Sequence, residues 1–187
     1  MRLKAHRYPP VSDAEMNDEQ REALAEMAAR RDVKNVFRTI AHEPKALKGF
    51  LAWGGYVLSK RNGLPARERE LVILRIGFLC RSGYEWTQHK AIGLRAGLTE
   101  AERIKAGPDA PGWSAADQAL LRASDELHHD QFITEPTWAA LSQHFDDKQR
   151  MDVVFTAAQY TQVSMILNTF GVQLDEGQTL DPDLKFY

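Results

Sequence analysis

Leu71-Val72-Ile73-Leu74-Arg75-Ile76-Gly77-Phe78-Leu79 is apolar on nearly every side, so the rest of the chain has to fold around it. A helix with no polar face packs in the centre of a bundle, not on its surface. The β-branched residues also suit a buried strand, and periodicity alone does not separate the two. The charged lead-in Ala66-Arg67-Glu68-Arg69-Glu70, after a Pro65 fit for a first helical turn, favours the helix.

The flanking sequence reads as further helices. Ser12-Asp13-Ala14-Glu15 has the form of a capping box, and Met16, Ala23, Leu24 and Met27 follow at helical spacing to about Arg31. Pro44, Leu47, Phe50, Leu51, Gly54 and Leu58 trace a second apolar stripe that stops at Asn62-Gly63. Ser82 to Ala96 ends at Gly97, suited to a left-handed residue after a helix, and Thr99-Glu100-Ala101-Glu102 caps a short successor. Beyond the turn cluster Gly107-Pro108-Asp109-Ala110-Pro111-Gly112, helices are expected over Ser114–Asp130, Thr134–His144 and Asp146–Thr169. The pieces on either side of that cluster are small for separate cores. The expectation is therefore one all-α domain over 1–187, with an N-terminal arm to about residue 12. A polar tail from about residue 175 has the composition of a segment ordered against a partner subunit.

A chain of 187 residues buries roughly 70% of its unfolded surface without a disulfide or metal staple. Its net charge of −2 gives no footprint for nucleic acid, and the arginine-interrupted central run is too short to span a membrane. A lone cysteine, Cys80, excludes an internal disulfide or a CxxC couple. With no apolar stretch behind the basic N-terminus, a cytosolic location is expected.

Glu85 and His89, four apart, project from one helix face, where a carboxylate can orient an imidazole. Local pattern leaves open whether the pair works as acid and base or is a surface or satisfied core pair. Glu70 shares a side with Leu74 and Gly77, and so turns inward or ends in solvent beside Arg67 and Arg69. Glu70, Glu85 and His89 are chemically able to ligate a divalent ion, but without a second histidine the set is sparse, and no metal or cofactor is expected. Tyr84 and Trp86, with Trp53 and Phe78, are candidate walls of a substrate pocket. Arg75 and Arg81 are the nearest cations for a substrate carboxylate, or else solvated or subunit contacts. Cys80 is expected in the core, and the adjacent His128 and His129 at a helix end.

Glu70, Ser82, Glu85 and His89 stand at the spacing of Glu, eleven residues, Cys-x-x-Cys, three residues and His. With Ala91-Ile92-Gly93-Leu94-Arg95-Ala96-Gly97-Leu98-Thr99 behind them, they resemble the active-site segment of the carboxymuconolactone decarboxylase and alkylhydroperoxidase D-like family. Both cysteines of that pattern are replaced, so its disulfide cycle is not available at these positions. Tyr84-Glu85-Trp86-Thr87-Gln88-His89 is nearer to the decarboxylase-like branch, and Gln159-Tyr160-Thr161-Gln162 and Asn168-Thr169-Phe170-Gly171 are similar to a later helix of that subgroup. The resemblance implies an AhpD-like helical bundle, assembled as a trimer or hexamer, acting on a small molecule. It implies His89, Glu85 and Glu70 as catalytic residues and Ser82, Tyr84 and Trp86 at the substrate. Three functions follow: proton transfer or decarboxylation on a small organic acid or lactone, peroxide reduction through Cys80 or a partner thiol, or ligand binding without chemistry.

Overall fold

The computed structural model describes residues 1–31 and 33–186, and among these every regular element is helical. The order is α1 (Asp18–Ala29), α2 (Asn35–Ile40), α3 (Pro44–Val57), α4 (Ala66–Leu79), α5 (Gly83–Arg95), α6 (Ala101–Ala106), α7 (Ala115–His129), α8 (Glu135–Ser142) and α9 (Asp147–Phe170). A single 3-10 turn, Pro182–Leu184, follows. The apolar run is the helix α4, buried without a break from Glu70 to Gly77 and packed on α5, α6, α7 and α9. A helix hidden on all sides leaves no polar face to read, which is why its pattern fitted a strand as well.

Two apolar clusters fill the interior. One gathers Leu71, Ile73, Leu74, Ile76 and Trp86 with Leu120, Leu121, Leu141 and Val153; the other gathers Leu24, Ile40, Ala41 and Leu47 with Tyr84, Val163 and Leu167. Each fully buried leucine contributes roughly 1.5–3 kcal/mol relative to an exposed one. α9 and α5 belong to both clusters, and the candidate site lies where the two meet.

Two glycines seat α5 on α4. A Cβ on Gly77 would stand 3.4 Å from Cγ of Glu85, and one on Gly93 would stand 3.3 Å from Leu74 and 3.6 Å from Cβ of Glu70. Gly77 therefore admits the neighbouring helix and not a ligand. α5 ends as the sequence reads: Gly97 has φ +90°, and Leu98 N–H returns to the Gly93 carbonyl at 2.8 Å.

Two expectations need correction, and one element was not read from the sequence. α1 starts at Asp18 under a capping box of Asn17 and Gln20, because Ser12 and Glu15 close on each other in a turn of their own, Oγ to Oε2 at 2.6 Å. α2, at six residues, is too short to show a period in sequence. The tail is held by its own chain. Asp175 accepts from Asn35 N (2.8 Å) and Tyr84 Oη (2.8 Å), Asp181 accepts from Trp86 Nε1 (3.1 Å) and Lys105 Nζ (2.8 Å), and Leu184 is fully buried. The N-terminal amine meets the Leu184 carbonyl, and Phe186 N–H returns to the Met1 carbonyl at 3.0 Å. No helix among the described residues is long and apolar enough to cross a membrane.

Candidate active site

The seating of α5 on α4 brings three ionisable groups into line. His89 Nδ1 lies 2.7 Å from Glu70 Oε2, and Nε2 lies 3.0 Å from Glu85 Oε1. All three are buried, Glu70 to 1% exposure, so Glu70 turns inward and away from Arg67 and Arg69. Burial alone would push the imidazole pKa down. The charge of Glu85 and the hydrogen bond and charge of Glu70 outweigh it and raise His89 to about 10. Near neutral pH the centre is an imidazolium clamped between two carboxylates. The two carboxylates sit on opposite nitrogens and do not converge on one point, and no group of three His, Cys, Asp or Glu among the described residues is arranged to hold a metal.

α9 completes the site. The Tyr160 ring stands edge-on to the imidazole with centroids 4.8 Å apart, and burial, then the charges of Glu85 and Glu70, push its phenol well up, so it stays protonated. Glu85, His89, Gln159 and Tyr160 form the polar end of a cavity of about 390 Å³ between α2, α3, α5 and α9. Its remaining walls are mainly apolar: Val36, Phe37, Phe50, Leu51, Ile92 and Val163. Glu70 stands behind His89, off the cavity. Size and apolar lining are those of a small-molecule site.

The other predicted residues divide. Tyr84 lines the cavity, its hydroxyl donating to Asp175, and Gln88 beside it donates to Asp175 and Gln178. Trp86, one residue from Glu85 and so about 100° around the helix, faces the other way. It is fully buried against Phe78 (centroids 5.7 Å) and the tail. Ser82, at the N-cap of α5, is buried off the cavity with an unpartnered Oγ. Trp53 stacks on Tyr56 at the surface. Arg75 is tied to Asp125 by two nitrogens and to the Ile104 and Lys105 carbonyls, which spends four of its five N–H groups, and it lies off this cavity. Residues that the sequence did not mark as site residues are Gln159 and Tyr160. They are adjacent on the buried face of α9, but Asp152, Thr156 and Ser164 are buried polar groups on the same helix, so the sequence pattern did not single them out.

Cys80 lies elsewhere, at the end of α4, in a larger and open hollow of about 680 Å³ with Arg2, Arg7, Arg81 and His128. Its Sγ is 3.6 Å from His128 Nδ1, and burial pushes the thiol pKa up and that of His128 down. A protonated thiol beside a neutral imidazole is a poor nucleophile.

The fold has solved counterparts. The alkylhydroperoxidase AhpD core of a peroxidase-related protein from Ralstonia eutropha is 23% identical, with a TM-score of 0.76 over 92% of this chain and 95% of that one. A peroxidase-related protein from a Silicibacter species is 15% identical, with a TM-score of 0.78 over 93% and 95%. A debrominase in complex with 2,3,4-tribromopyrrole is 9% identical, with a TM-score of 0.73 over 92% and 94%. No curated protein matches the sequence. The chain has the AhpD-like helical fold, with Glu-His-Glu at its centre. Residues 44–125, which carry all three of those side chains, match the model of the carboxymuconolactone decarboxylase family.

Proposed function

We propose that the protein is a proton-transfer enzyme acting on a small lactone or related organic acid, with decarboxylation as one use of the same groups. The observation that carries this reading is the clamp of His89 between Glu70 and Glu85 beside an apolar cavity. Glu85, a carboxyl group on the cavity, is placed to take a proton from carbon next to a carbonyl. His89, charged near neutral pH, is placed to return one to the enolate, and Glu70 holds Nδ1–H and so fixes which nitrogen works. Loss of carbon dioxide leaves the same enolate, and Tyr160 is a protonated donor beside it. An enzymatic role is supported by the debrominase of the same fold. A thiol route is not favoured, because Cys80 is off the cavity and its thiol is held protonated. A trimer or hexamer is part of the proposal, read by light scattering on the purified protein.

The test is deuterium exchange from heavy water into a panel of γ-lactones, followed by proton NMR. Exchange by the wild type is expected to fall about a hundredfold or more in His89→Ala and Glu85→Gln. Equal exchange in all three proteins would refute the proposal, and ligand binding with no exchange in the wild type would leave a binding protein.

A further inference from the structure

Phe50, Leu51, Gly54, Gly55 and Leu58 are the residues of α3 that line the cavity, one stripe at i, i+3, i+4 spacing. Large apolar side chains stand at both ends of that stripe, and its middle is bare backbone. A Cβ on Gly54 would make only an ordinary contact, 3.6 Å to Gln159 Nε2, and one on Gly55 would meet nothing within 4 Å. Neither glycine has a positive φ. Packing and backbone conformation therefore require neither, although each weakens a helix interior relative to alanine. What the pair leaves is space. The other apolar walls, Val36, Phe37, Ile92 and Val163, come from α2, α5 and α9. At interior packing density the bare ring of a γ-lactone fills roughly a quarter of the cavity's volume of about 390 Å³. Such a ring at the Glu85–His89 end would leave the apolar part to water.

We infer that the substrate carries an unbranched alkyl tail of about four to eight carbons beside its reacting group, and that the notch at Gly54 and Gly55 receives this tail. Each methylene taken out of water there strengthens binding about fourfold. This narrows the proposed substrates to alkyl-substituted lactones and related acids, and it rests on the proton-transfer reading for which end of the molecule reacts. Gly55 is then a residue that sets the tail accepted. A leucine there would complete the stripe between Leu51 and Leu58 and take up the space.

The experiment compares two probes, γ-valerolactone and γ-octalactone, whose tails differ by three methylenes, by calorimetric titration and in the deuterium-exchange assay. The wild type is expected to bind the octalactone at least about tenfold tighter, and to exchange it with a kcat/KM higher by a similar factor. Gly55→Leu puts a better helix former at the same site. It should match the wild type in denaturant unfolding and cut both ratios to about threefold or less. Gly49→Leu, on the same helix but off the cavity, should keep the wild-type ratios. Equal binding of the two lactones, no binding of the octalactone, an unchanged ratio in Gly55→Leu, or an equal loss in Gly49→Leu would overturn the inference. Binding and exchange keep the two readings apart. Tail preference in Kd without exchange of either lactone removes only the proton-transfer reading, and exchange without tail preference removes only this inference.

Discussion

At His89 burial and charge pull in opposite directions, and the two flanking carboxylates decide the outcome. The imidazole binds its proton more tightly folded than unfolded. The stability it lends is therefore complete below about pH 6.5 and is lost as pH rises through about 10. Thermal unfolding midpoints are expected to fall between those limits in the wild type, and a His89→Gln variant should lack that component of the slope. Glu70→Gln keeps the shape of the side chain and removes its charge. It is expected to lower the His89 pKa and to cost about 1–3 kcal/mol in denaturant unfolding, the worth of a charged hydrogen bond. Exchange activity should fall with it although Glu70 never reaches the cavity. The spacing of Glu70, Glu85 and His89 was legible in sequence because helical geometry fixes i, i+4 within α5. The partner nitrogen of each carboxylate was not, since it depends on how closely α4 and α5 pack.

That closeness belongs to the pair of helices. Gly77 and Gly93 let the backbones approach until Glu70 and His89 touch, and the sequence showed the glycines without showing what they admit. Gly77→Val would drive a branched side chain into Glu85. The expected result is a loss of about 1–3 kcal/mol in denaturant unfolding from overpacking, with a larger proportional loss of exchange activity, because Glu85 is the first group displaced. The central helix was legible through its charged lead-in after Pro65, since the apolar run alone fitted a strand as well. Ser82 and Trp86 were placed at the substrate by nearness in sequence, but a step of one residue turns a helical side chain by about 100°. Trp86 accordingly serves the core and the tail.

Across the whole molecule the cavity occupies the seam between two apolar clusters, and three of its walls come from segments distant in sequence from the motif. α2 is too short to announce itself, and the inward face of α9 is defined only by what packs on it. The tail matters here because Asp175 ties Asn35 at the start of α2 to Tyr84 and Gln88 on α5. Asp175→Ala is expected to loosen that wall, raising KM or the probe Kd severalfold while kcat changes little; a fall in kcat alone would place the tail's influence at the centre instead. The clamp on His89 is tested most directly by nitrogen-15 NMR of histidine-labelled protein near pH 8, with His89 assigned by its loss in His89→Gln. Both ring nitrogens are expected at imidazolium positions, titrating only toward pH 10. A neutral imidazole at pH 8 would contradict a charged His89 held between Glu70 and Glu85.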